Sequence, residues 1–170
     1  VLLAGAQGVC SGGSGGRERQ GDEYHNSVGT FDTALSRLWP NVAAAHYWAG
    51  YARARTEPDR AIVSYEKALA INPENPRIHS AIGIAYSWAK DYDKAIEAYR
   101  RALAIKPSDS ETLSQLGATL LNAGRIEEAV HSLRQAIEFD NKNSLAHFRL
   151  GEALRDSGDP TKAITELRSA

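Results

Sequence analysis

The sequence predicts an all-α chain folded as a solenoid, a stack of antiparallel helix pairs held by contacts between neighbours and without one central core. Three observations predict it. Gly83, Gly117 and Gly151 recur at one fixed spacing of 34 residues, and the same spacing separates Ala61, Ala95, Ala129 and Ala163, then Ala68, Ala102, Ala136 and Ala170. A period of this size marks a repeat array. A good helix N-cap, Asn41, Asn75, Asp109 or Asn143, stands just before each unit, where its side chain can accept from the unpaired N–H groups of a first turn. Apolar and small residues inside each unit follow helical spacing, and no strand is predicted.

In chain order, residues 1–23 read as a leader. Val1 to Val9 is apolar but far shorter than the roughly 20 residues of a membrane-spanning helix. We read this start as a fragment boundary in a disordered leader. Its rival is the tail of a secretory signal with Ala4-Gly5-Ala6 as the cleavage site. Cys10 before a Gly/Ser run over 11–16 fits a lipidated cysteine on a flexible tether, although Val9 stands where lipoproteins carry a small residue. The lone cysteine excludes an intrachain disulfide. The absence of methionine implies a processed product or an excised piece. Residues 24–41 are expected to form a degenerate half-repeat, because Phe31-Asp32-Thr33-Ala34-Leu35 parallels Tyr65-Glu66-Lys67-Ala68-Leu69 one period later.

The array proper spans 42–170, as units 42–75, 76–109, 110–143 and a truncated 144–170. Position 1 falls at Val42, Pro76, Ser110 and Ser144, with proline at Pro76 suited to a first helical position. Positions 7, 8 and 11 of the first helix are then Trp48, Ala49 and Ala52; Ile82, Gly83 and Tyr86; Leu116, Gly117 and Leu120; Leu150, Gly151 and Leu154. That spacing shares one helical face, and the small residue at position 8 lets a neighbouring helix approach closely. The first helices end near Thr56, Lys90, Gly124 and Gly158, where glycine suits a left-handed cap. Asp91 and Asp159 can cap the second helices, and Pro58 and Pro160 suit their first turns.

This pattern resembles the tetratricopeptide repeat (TPR), a 34-residue helix-turn-helix with a small-large-small code. The resemblance covers 42–170 in register without a gap, with Ala45, His79, Leu113 and His147 where the family often has tryptophan. It implies a right-handed superhelix whose concave groove, lined by positions 2, 5, 9, 12 and 13 of each first helix, holds a peptide or helix of a partner protein. From that stripe the groove residues are Arg53, Arg77, Ser80, Ser87, Trp88, Asn122 and Arg155. The arginines are the candidate forks for carboxylates, and Trp88 is the aromatic anchor. The chaperone-tail clamp of some TPR domains is missing, with His46, Gly50, Ala81, Glu111 and Gln115 at its places. Position 6 (Tyr47, Ala81, Gln115, Arg149) also lacks the asparagine ladder of the TPR glycosyltransferases.

A formal net charge of -1 gives no global attraction to nucleic acid. Neither a catalytic constellation nor a phosphate loop is present, and Glu128 with His131 is one Glu-x-x-His pair where a di-metal site needs two. His79 and His147 read as packing residues. The expectation is therefore a non-enzymatic interaction scaffold that needs no cofactor or metal and binds a protein or peptide. The alternatives are the substrate-recruiting arm of a larger enzyme such as a glycosyltransferase, and an assembly or tethering subunit of a bacterial envelope. The truncated last unit leaves an uncapped C-terminal end open to self-association. Compartment stays open, cytoplasmic by default and exported if residues 1–9 are the remnant of a signal.

Overall fold

The structure is a computed structural model that describes residue 38 and residues 42–157. Among these residues seven α-helices follow one another: α1 (Ala43–Arg53), α2 (Pro58–Ile71), α3 (Pro76–Trp88), α4 (Tyr92–Ile105), α5 (Ser110–Asn122), α6 (Ile126–Phe139) and α7 (Ser144–Asp156). Apart from residue 38, the half-repeat read over 24–41 lies outside the described residues, as do Asp159, Pro160 and the second helix of the last unit.

The caps predicted from sequence form where they are described. Asn75 accepts from the N–H of Arg77 at 3.0 Å, Asp109 from Thr112 at 3.3 Å and Asn143 from Ala146 at 3.0 Å. Asp91 does the same for α4 at 3.4 Å, and Pro58 and Pro76 occupy first-turn positions. Each such cap satisfies an orphan donor and stabilises by about 1 kcal/mol. α1 differs, starting at Ala43 rather than Val42. Its cap residue, Val42, has extended backbone and offers no side-chain acceptor.

Each helix packs on the next, so the odd-numbered helices form one layer and the even-numbered helices the other. Within the odd layer, α3 also meets α5 and α5 meets α7, whereas the even helices make no comparable contact with one another. The odd layer therefore lies on the inside of the curve. α1 and α3 are not in comparable contact, and the space between them opens as a groove.

The periodic residues make the core. Ala61, Ala95 and Ala129, then Ala68, Ala102 and Ala136, are buried, and each places a methyl where a longer side chain would push helices apart. The largest side chains fit against glycine. A Cβ added at Gly83 would lie 2.7 Å from the Tyr99 ring, one at Gly117 would lie 2.5 Å from Leu133 Cγ, and one at Gly50 would lie 2.6 Å from the Tyr65 ring. None of these sites has room for a methyl.

The glycine contacts correct the register of the first unit. Tyr65 and Tyr99 keep the 34-residue spacing, but their partners Gly50 and Gly83 are one residue closer together. The missing residue belongs to the turn after α1. After α3, Lys90 sits at φ 62°, and the N–H groups of Lys90 and Asp91 return to Ser87 and Tyr86 at 3.1 and 3.0 Å. After α5, Gly124 at φ 74° supports the same closure, with Gly124 and Arg125 donating to Leu121 and Leu120. This is the Schellman arrangement, which needs one left-handed residue. The turn after α1 has none. There Thr56 and Glu57 both donate to Arg53, at 3.0 and 2.8 Å.

Positions 7, 8 and 11 of the first unit are thus Ala49, Gly50 and Arg53, not Trp48, Ala49 and Ala52. Burial agrees: Ala49 and Gly50 are buried and Trp48 is 56% exposed. His46 takes the position of His79 and His147. The ungapped register failed because a left-handed residue can be dropped from a turn without disturbing either helix.

Candidate functional site

One residue along an α-helix turns the side chain by about 100°, so the corrected register gives α1 a different inner face. The stripe becomes Ala44, Tyr47, Tyr51, Ala54 and Arg55 in place of Ala43, His46, Gly50, Arg53 and Ala54. A groove of about 950 Å³ lies along it, lined by Tyr47, Trp48, Tyr51 and Arg55 on the α1 side and by Arg77, Ser80, Ile84 and Trp88 on α3. Lys106, Asp109, Glu111 and Thr112 line it further along.

The α1 side is a continuous aromatic surface. Tyr47 meets Trp48 edge-on at 5.4 Å, stacks on Tyr51 at 6.5 Å and tilts against buried Tyr65 at 5.7 Å, while Trp48 meets Tyr51 edge-on at 5.5 Å. These are favourable ring geometries, and they hold the cluster in place while Trp48, Tyr51 and Trp88 remain more than half exposed. Burial pushes the Tyr47 phenol above its ordinary pKa, against the downward pull of Arg77. Across the groove the Arg55 guanidinium lies over the Trp88 ring, 5.8 Å from its centroid.

The charges along the groove are arranged unequally. Arg55 and Arg77 are exposed and have no ion-pair partner among the described residues. Asp109, in contrast, accepts from both Lys106 and the Thr112 hydroxyl. Partial burial alone would raise the pKa of the Asp109 carboxyl, but the bonds and charge from Lys106 and Thr112 outweigh it and hold it below the ordinary range. Glu111 accepts from the Gln115 amide at 3.0 Å, and Thr112 lies 3.2 Å from the Ser80 hydroxyl.

Of the residues predicted from sequence, the structure brings Arg77, Ser80 and Trp88 together in this groove. Ser87 is turned towards α5, with Thr119 Oγ1 at 3.4 Å. Arg53 is corrected: it occupies position 11, a packing position, and is half-buried. Asn122 ends α5, exposed. Arg155 lies on α7 in an ion pair with Asp156 at 2.9 Å; neither residue lines this groove. Tyr47, Trp48, Tyr51 and Arg55 were missed. The signal that finds them is Gly50, since matching it instead of Ala49 to Gly83 restores the register. The corrected positions do not create the chaperone-tail clamp, as Tyr47 and Tyr51 replace His46 and Gly50 in it.

His79 and His147 make packing contacts. Each Nε2 reaches a backbone carbonyl six residues upstream, of Pro73 at 2.9 Å and of Asn141 at 3.2 Å. Among the described residues no group of three His, Cys, Asp or Glu side chains could hold a metal ion. No described helix is long and apolar enough to cross a membrane.

The helix pairs and the repeat spacing have a counterpart in a known family. A tetratricopeptide repeat profile matches residues 52–120 and 89–131, and a TPR repeat profile matches 119–158. The chain belongs to the tetratricopeptide repeat family. Among solved structures, a crystal structure of MamA aligns with a TM-score of 0.74 at 17% identity, covering 94% of this chain and 94% of that one. MamA 41-end from Desulfovibrio magneticus RS-1 aligns at 0.72 and 21% identity over 86% and 90% of the two chains. YrrB, described as a TPR protein with an unusual peptide-binding site, aligns at 0.66 and 24% identity over 89% and 78%. These likenesses establish the fold, the right-handed superhelical solenoid of TPR proteins. No curated protein matches the chain in sequence.

Proposed function

We propose that this TPR array is a protein-interaction module that holds a segment of a partner protein in the groove between α1 and α3 and performs no chemistry of its own. The observation that carries this reading is the exposed aromatic surface. Trp48, Tyr51 and Trp88 keep more than half of their area in water while lining one groove, and tryptophan, tyrosine and arginine are the residues most often responsible for binding energy at interfaces. Membership of a family of interaction modules supports the same reading, as does the peptide-binding site attributed to YrrB.

Photo-crosslinking tests it. A photoreactive amino acid in place of Tyr51 should capture a partner protein, and the same group in place of Lys67, exposed on α2 in the outer layer, should not. Trp88→Ala should abolish capture from position 51 without lowering the denaturation midpoint, because an exposed ring contributes little to folding. Equal capture from both positions, or capture indifferent to Trp88→Ala, would remove the groove from the reading.

A further inference from the structure

We infer that the groove's occupant is an acidic segment of polypeptide carrying an aromatic side chain close to its carboxylates. The inference rests on the groove reading above and adds the partner's chemistry. It follows from how charge is distributed among the lining residues. The two acids at the far end are already engaged, Asp109 by Lys106 and Thr112 and Glu111 by Gln115. The two cations at the aromatic end, Arg55 and Arg77, have no ion-pair partner among the described residues. An occupant must therefore bring the negative charge.

Position and chemistry agree with this. A guanidinium offers a rigid fork of donors matched to a carboxylate. Arg55 is held over the Trp88 ring, so it is partly pre-organised and loses less freedom on pairing. The ring contacts available to an occupant line the same groove as the two arginines: Tyr51 and Trp48 on α1, Trp88 on α3, with Ile84 also in the lining. An aromatic side chain seated there would bury ring faces that now face water, and its neighbours in the peptide would lie within reach of Arg55 or Arg77. A basic segment would meet two uncompensated cations, which is a penalty for the wrong partner. A proline-rich segment would use the rings and leave both arginines unused.

Fluorescence polarisation with the intact chain tests the inference. The probes are labelled peptides in a Gly/Ser frame: one with the core Glu-Asp-Trp-Glu, one with tryptophan replaced by alanine, one with the acids replaced by lysine, and one proline-rich peptide. The acidic aromatic peptide should bind best. Arg77→Gln or Arg55→Gln should each weaken it by about tenfold, Trp88→Ala by at least about tenfold, and raising the ionic strength from about 50 to about 500 mM should weaken it further. The lysine peptide should not bind. Failure of the acidic aromatic peptide to bind, or stronger binding of the proline-rich or lysine peptide, overturns the inference. If a rival peptide instead binds in a Trp88-dependent way, the groove reading still stands. Dimerisation in sedimentation that Trp88→Ala abolishes would make a second copy the occupant, with the same division of consequences. Acidic-peptide binding untouched by all three substitutions overturns both.

Discussion

The first repeat and the two that follow use the same helix pair but close it differently, and the faces they present differ accordingly. After α3 and α5 the chain turns through a left-handed residue, Lys90 or Gly124, before the next helix begins. After α1 that residue is absent, and Arg53 closes the turn by accepting from both Thr56 and Glu57. The core tolerates the loss because the same contacts are remade one residue further along, with Gly50 against Tyr65 where Gly83 meets Tyr99. The inner face does not stay the same. In the second repeat it offers arginine, serine, isoleucine and one tryptophan; in the first it offers two tyrosines and an arginine beside a second tryptophan. A repeat's core and its inner stripe are therefore set by one quantity, the rotational phase of the helix, and a turn can change it.

The strongest way to break this comparison is to fill the glycine contacts. Gly50→Ala and Gly83→Ala should each destabilise by about 2–3 kcal/mol, since both methyls would collide with a buried ring in a packed core, as measured by chemical denaturation. In an ungapped register Gly50 would face the groove, and alanine would be neutral or stabilise the helix by up to about 1 kcal/mol. A neutral Gly50→Ala would therefore restore the ungapped register.

A smaller effect sharpens the contrast between turns. Gly124→Ala forces a Cβ into the left-handed region, and although nothing lies within 4 Å of it, it should cost about 1 kcal/mol. Lys90→Gly should do the reverse and stabilise by about 0.5–1 kcal/mol. Thermal melts of the two variants should move in opposite directions. No substitution in the turn after α1 should show the left-handed signature, because no residue there occupies that region.

The smallest effect concerns helix starts. α1 has no side-chain cap at Val42, whereas α5 is capped by Asp109, whose carboxyl pKa is lowered in the folded chain. A group lowered on folding stabilises above its unfolded value, about 3.9 for aspartate, and loses that contribution as pH falls through the folded value. Asp109→Asn keeps a capping oxygen and removes the charge. The wild type should be slightly more stable near neutral pH, and the difference should fade as pH drops below about 4. Urea titrations at several pH values would show a constant difference if the charge has no role.

Most of the fold is readable from residues 76–157, where glycines, alanines and caps all keep the period. The groove was half readable. Arg77, Ser80 and Trp88 lie in a repeat that obeys the period, so counting positions found them. Tyr47, Tyr51 and Arg55 lie in the repeat that breaks it, and counting placed His46, Gly50 and Arg53 on the inner face instead. Ser87 shows a second limit. Its position is right, but whether a serine at the layer's edge faces the groove or bonds to Thr119 depends on how far α3 and α5 are apart, which spacing alone does not encode.

The adjacent pair Ala49-Gly50 has an evolutionary consequence. Because Ala49 is already small, one substitution, Ala49→Gly, would let residue 49 take the methyl-free place opposite Tyr65 that Gly50 now fills, and the helix could then be mounted in a second phase. Gain or loss of a single codon in the turn after Arg53 would then exchange the whole inner stripe at once, a change that point substitution would need several separate steps to make. Repeats with such doubled small residues are places where a binding specificity can jump instead of drift.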